Sequence, residues 1–225
     1  MRPSPAHRVL RTLARARIRG AGEILGLVRD RTREWVRSDE ELIMLVRPAG
    51  SPTPDYRHDR ELAFRPAGPD DARAYERAIG TESATTFRRR LSDTTHCFLV
   101  ELRGDLLHSS WVTTSAAWTR EVSAFVVPPA GDAYVYESFT RPEARGRGVY
   151  PFALAGICGW AAETGLSHVW VAVESRNVPS LKAIRKAGFE ASYSIRYGRR
   201  LGRLTLQEEK PGDTTAPAIV SSIPP

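Results

Sequence analysis

The chain has 225 residues, room for one domain of ordinary size with an appendage. Its 41% hydrophobic and 26% charged residues are the balance of a folding globular protein rather than a disordered or membrane-embedded one. The net charge of +7 is confined to the start: residues 1–37 carry ten arginines against Glu23, Asp30 and Glu34, and the remainder holds 23 basic and 23 acidic residues, which gives no charge-based ground for a nucleic-acid-binding body.

From residue 6 to 29, Arg8, Arg11, Arg15 and Arg19 recur at helical steps opposite Val9, Leu10, Leu13, Ala16, Ile24 and Val28, so an amphipathic helical arm with a basic face is expected. Two readings of it stay open. Its apolar stripe docks on the domain or on a second copy in a homodimer, or its arginines meet an anionic partner such as a membrane surface in peripheral contact. Cys97 and Cys158 have neither metal-ligand nor disulfide-framework spacing and read as buried free thiols. With no 18-residue apolar run and no signal-peptide core, a cytoplasmic setting is expected.

Residues 41–47 read as a short apolar strand, and 48–59, with three prolines, as a linker. Arm, strand and linker (1–59) are therefore set apart from a catalytic domain over 60–210, with 211–225 polar, Pro-rich and disordered. Within the domain, strands are expected at 62–65, 97–102, 106–114, 121–127 and 134–140, with helices at about 69–79 and 83–91. Gly104-Asp105 marks a hairpin. From there the pattern changes to helix 151–164 stopped by Gly165, strand 168–174, helix 179–187 closed by Gly188, and a strand from 189. Hairpin strands followed by a βαβαβ run make an α/β (α+β) fold, with a mixed, mainly antiparallel sheet flanked by helices.

Chemistry concentrates at Arg145-Gly146-Arg147-Gly148-Val149-Tyr150, between the strand ending at Thr140 and the helix starting at Pro151. Glycines there let the backbone turn tightly and approach a ligand, and helix-start N–H groups converge on phosphate oxygens, with two arginines adding charge. Five histidines show no ligand pair at helical spacing, so no metal is expected. No G-x-S-x-G elbow accompanies Ser109 and Ser110.

Two motifs in order carry a family resemblance. Arg145 to Val149 match the first five positions of R-G-x-G-x-G/A, and Asn177, Ser180, Lys186, Gly188 and Phe189 match N-x-x-S/A followed by K-x-G-F. On these the chain resembles the GNAT acyltransferase superfamily, best between residues 134 and 189. The resemblance implies acetyl-CoA as acyl donor, a primary amine on a small molecule or peptide as acceptor, and a V-shaped gap between the fourth and fifth strands. By the same resemblance, Ser138, Phe139 and Thr140 hydrogen-bond the pantetheine through the backbone. Arg145, Gly146, Arg147, Gly148, Val149 and Tyr150 cradle the pyrophosphate, and Asn177 with Ser180 orients the cofactor. Two positions depart: Tyr150 stands where the signature has Gly or Ala, and Ile184 stands where many relatives place the tyrosine that protonates the leaving thiolate.

Direct transfer needs a neutral amine and donors for the developing oxyanion. Glu137, in the strand, is the candidate base or acceptor-binding carboxylate, and Tyr193 the substitute acid. Strand alternation puts Tyr134, Tyr136 and Ser138 on one face and Val135, Glu137 and Phe139 on the other. His108, Trp111, Tyr134 and Tyr136 are expected to line the acceptor pocket. A longer acyl or carrier-protein donor, and a CoA-binding adaptor without turnover, are the alternatives.

Overall fold

The computed structural model describes residues 37–200, 203–209 and 215–221; the expected helical arm over 6–29 lies outside them. Eight strands form one sheet. In chain order these are β1 (Arg37–Pro48), β2 (Leu62–Pro66), β3 (Thr95–Leu102), β4 (Asp105–Thr113), β7 (Ala133–Thr140), β8 (His168–Glu174), β9 (Glu190–Arg200) and β10 (Arg203–Glu209). Three more, β5 (Ala117–Thr119), β6 (Ala124–Val127) and β11 (Ala218–Val220), form a small second sheet in the order β11-β6-β5. The helices are α1 (Ala72–Ala78), α2 (Ala84–Arg90), α3 (Val149–Glu163) and α4 (Val178–Lys186). None of the described helices is long and apolar enough to cross a membrane.

The large sheet runs β10-β9-β1-β8-β7-β4-β3-β2 and is antiparallel except for the β7–β8 pair. Side chains alternate across it, and each face has its own cover. Phe98, Val112, Val135, Val169 and Val171 pack under α3 and α4 with Leu154, Ile157, Leu181 and Ile184. Their strand neighbours Cys97 and Trp111 meet Tyr75 of α1 and Phe87 of α2 on the opposite face. Further along that second face, Met44, Tyr134, Trp170 and Ile195 are covered by the small sheet through Ala117, Ala124 and Val126.

Three expectations are corrected here. The apolar segment at 41–47 forms a longer strand that lies inside the sheet, paired to β8 from Leu42↔Glu174 to Pro48↔His168 and to β9 on its other edge. A unit boundary at residue 60 therefore cuts through the sheet, because the apolar run is buried between two strands rather than held ahead of them. For the same reason the βαβαβ run does not end in adjacent strands: β1 stands between β8 and β9. The tail is ordered in part, since β11 pairs with β6 and the Pro217 carbonyl accepts a hydrogen bond from the Tyr193 hydroxyl at 2.9 Å. The strand expected at 121–127 is shortened to β6, because Ser123 turns the chain with a φ of 49°.

Helix ends follow local chemistry. The Ser83 side chain accepts from the Thr86 N–H to start α2, and Asn177 Oδ1 accepts from the Ser180 N–H at 3.3 Å to start α4. Gly165 and Gly188, with φ of 78° and 83°, leave α3 and α4 through the left-handed region.

Candidate functional site

The β7–β8 ladder covers only Ala133–Val135 against Val169–Val171, although β7 runs on to Thr140 and β8 to Glu174. The two strands therefore part in mid-sheet, at the V-shaped gap implied by the family resemblance. The split coincides with an irregularity on the other edge of β7, where the register to β4 shifts between Ser109↔Phe139 and Trp111↔Tyr136. Glu137 occupies that bulge with a φ of 47°, a left-handed conformation that a glutamate holds only when its surroundings impose it.

The bulge reverses the alternation expected for the strand. Tyr134 and Tyr136 do share a face, with rings parallel within 6° and 6.1 Å apart. Ser138 does not join them: one extra residue in the bulge inverts every side chain after it. Phe139 instead packs with Trp111 and Tyr136 beneath α1 and α2. Ser138 and Thr140 turn to the α3 side, into a buried polar chain. There Thr140 Oγ1 lies 2.7 Å from His108 Nδ1, His108 Nε2 lies 2.8 Å from Ser110 Oγ, and Ser110 Oγ lies 2.7 Å from Ser138 Oγ. The Tyr150 ring stacks on His108 at 5.3 Å. Burial pushes the Tyr150 phenol up to about 12, with a hydrogen bond to Ser138 opposing it. A ring at the sixth signature position thus reaches back to the bulged strand.

His108 and Trp111 are enclosed rather than lining a surface. Burial pushes the fully buried His108 imidazole down to about 3, so it stays neutral. Trp111 Nε1 donates to the Tyr75 hydroxyl at 3.1 Å. The Arg90 guanidinium lies over its ring, 3.9 Å from the centroid. Arg90, which the sequence did not single out at the end of a run of three arginines, joins Glu82 and Glu137 at 3.0 and 2.8 Å. Burial opposes its charge, but Glu137 and Glu82 outweigh that and its pKa rises. The Glu137 side chain, 42% exposed, is the most solvent-accessible member of this cluster.

On the α3 side, Gly146 and Gly148 adopt φ of 77° and 78°, and Gly148 is the N-cap of α3. Beyond them the first N–H groups of the helix have no partner within it. A Cβ at Gly146 would meet nothing within 4 Å, which leaves a backbone cradle open to an anion. Arg145 Nε donates to the Thr140 carbonyl at 3.3 Å, and Arg147 pairs with Asp59 at 3.2 Å. The Gly148 side is roofed by the 51–60 segment: a Cβ there would lie 2.6 Å from the Arg57 carbonyl oxygen and 3.1 Å from His58 Cβ. That segment is also pinned at its start, where the buried Arg47 donates to the Ser51 and Ala187 carbonyls at 2.8 Å each.

Other sequence candidates fall into place around these. Asn177 spends its oxygen on the α4 cap, so the N-x-x-S spacing has a local structural reason here. Ile184 faces the core under α4. Tyr193 is buried beside Tyr134, its pKa raised by burial and its hydroxyl given to Pro217. Burial also raises both thiols, Cys158 to about 11 with Arg47 opposing. Among the described residues, no three metal-ligating side chains converge.

A family model for the acetyltransferase (GNAT) domain matches residues 36–190, a span that includes β1, both glycines and the α4 motif. The chain belongs to the GNAT acetyltransferase family. A GCN5-related N-acetyltransferase from Sphaerobacter thermophilus shares the fold with a TM-score of 0.53 at 15% identity, over 88% of this chain and 61% of that one. An aminoglycoside acetyltransferase from an uncultured soil metagenomic sample, solved with sisomicin, aligns with a TM-score of 0.46 at 12% identity, over 57% of this chain and 88% of that one. No curated protein matches the chain.

Proposed function

We propose that this GNAT chain transfers a short acyl group, acetyl first, from a coenzyme A thioester to a primary amine on a small molecule or peptide, by direct attack. The observation that carries this reading is the splay of β7 from β8 after Val135, on the strand that leads into the Gly146–Gly148 turn. The splay leaves the β8-facing edge of β7 available for hydrogen bonds to pantetheine. The open backbone at Gly146, with Arg145 and Arg147 beside it, suits the pyrophosphate. Coenzyme A supplies the activated acyl carbon; everything else is asked of the chain.

In this reading the amine must arrive or become neutral, since an ammonium has no lone pair. As its nitrogen bonds to the thioester carbon, negative charge grows on the carbonyl oxygen, and backbone N–H groups of the bulged strand, past the end of its ladder with β8, are the donors this reading assigns to it. The C–S bond then breaks, the nitrogen loses a proton and the sulfur gains one. Glu137 is the half-exposed carboxylate at the bulge and receives the acceptor's proton directly or through water, or holds its positive charge. Ile184 brings no hydroxyl to the sulfur, and Tyr193 is engaged elsewhere, so solvent protonates the thiolate.

A thiol-release assay with acetyl-, propionyl- and longer acyl-CoA across a panel of amines tests the proposal. Turnover with the short donors is expected; coenzyme A binding without turnover on any amine would favour an adaptor, and a preference for long chains would replace acetyl as the group carried.

A further inference from the structure

The 51–60 segment does more than roof the glycine turn. Between it and α3 lies a groove of about 340 Å³ lined by Asp55, Tyr56, His58, Phe152, Ala155 and Gly156, together with the turn at Thr53 and Pro54. Its wall is aromatic. The His58 ring lies 5.2 Å from Tyr56 on one side and 5.2 Å from Phe152 on the other. His58 is exposed, while Tyr56 and Phe152 are half-buried. Two contacts make the groove continuous with the cofactor loop: His58 touches the Gly148 position, and the next residue, Asp59, holds Arg147.

The glycine turn has two exits. One leads to β7, where a thioester must lie for an amine to reach it. The other leads along α3, past Phe152 to Ala155 and Gly156, and ends in this groove. A pyrophosphate bound at the turn with its pantetheine running to β7 sends its nucleotide end the other way. The groove's volume sits at the small end of the roughly 300–1,000 Å³ of ligand pockets, suited to a ring system rather than a whole cofactor. An exposed aromatic wall stacks bases, and a carboxylate at the rim accepts from an exocyclic amino group.

We propose that the 51–60 segment and the Phe152 face of α3 form the adenine-binding subsite of the acyl-CoA donor, with His58 and Phe152 as the stacking wall. This rests on coenzyme A being the donor. It gives the segment between β1 and β2 a direct part in cofactor recognition rather than the role of a linker.

Calorimetry on the full chain with coenzyme A and with 4′-phosphopantetheine, which keeps one phosphate of the pyrophosphate but lacks the whole 3′-phospho-AMP part, separates the two readings. His58→Ala and Phe152→Leu, the latter keeping an apolar side chain in its packing, are expected to weaken coenzyme A about tenfold each, toward the lower end of what one base–aromatic stack contributes. Both variants should bind 4′-phosphopantetheine within twofold of wild type and keep its melting temperature. Coenzyme A binding that is unchanged in both variants overturns the subsite and leaves the donor assignment standing. Equal losses for the two ligands also overturn it, since the segment would then act only through the glycine turn. Wild-type protein that binds neither ligand overturns the donor assignment and the subsite together.

Discussion

Replacing Gly148 by alanine puts a Cβ 2.6 Å from the Arg57 carbonyl oxygen, closer than real Cβ contacts come, while the same change at Gly146 meets nothing within 4 Å. The two glycines have nearly the same φ, 78° and 77°, so the pair separates backbone strain from the roof contact. Strain alone costs about 1–2 kcal/mol for an alanine in the left-handed region. For a domain of this size that corresponds to a melting point lower by roughly 2–8 °C. Gly146→Ala should show that loss with no faster exchange over residues 54–60, while its Cβ, standing in the open cradle, is expected to weaken coenzyme A as well. Gly148→Ala carries the same strain and must also push the Arg57–His58 backbone off the turn. Hydrogen exchange should report faster exchange over residues 54–60, and calorimetry a loss of tenfold or more in coenzyme A affinity. If Gly148→Ala matches Gly146→Ala in hydrogen exchange over residues 54–60, the segment does not seat on the turn.

Three further outcomes are expected. Glu137→Gln should lower turnover by about 10² if the carboxylate takes the amine's proton, whereas a raised KM with turnover kept would reassign it to holding the acceptor's charge. Tyr193→Phe should leave thiol release unchanged and cost about 1 kcal/mol of stability, the worth of the hydrogen bond to Pro217; a large drop in kcat would restore it as an acid. The folded protein keeps His108 neutral down to about pH 3, while the unfolded chain protonates near 6.5, so the unfolded state binds more protons in that window and stability falls as pH falls through it. From pH 7 to 5 this amounts to about 2 kcal/mol, and urea midpoints at the two pH values should show it in wild type and not in His108→Asn.

Local signals told the truth about local things. The β3–β4 hairpin turns on Arg103 and Gly104, with φ of 52° and 87°, one residue ahead of the Gly104-Asp105 signal. Asn177 and Ser180 start α4, Gly165 and Gly188 end the two long helices, and the Gly146–Gly148 run stands at the strand-to-helix turn where it was expected. Three features escaped because their causes are distant in sequence. The place of β1 depends on pairing with β8 and β9 more than a hundred residues away, and its own apolar pattern fits a buried strand at any position. The bulge at Glu137 is invisible because a glutamate carries no preference for the left-handed region, so strict alternation put Ser138 on the wrong face. His58 and Asp59 looked like linker residues, and only the fold sets them against Gly148 and Arg147. Arg90 belongs with these, since nothing in a run of three arginines marks the one that reaches Glu137.

The position of β1 also sets a timetable for synthesis. Its partners begin at His168 and continue past Glu190, so an apolar strand made early waits for more than a hundred residues before either edge can be paired. At about 5–20 residues per second the wait is roughly 6–25 s on the ribosome. During it the segment Leu42-Ile43-Met44-Leu45-Val46 is an uncharged, β-prone stretch of the kind that pairs with other chains. High contact order slows the closing step further. The chain is thus one whose yield in cells should respond to chaperone supply and growth temperature more than its final stability would suggest.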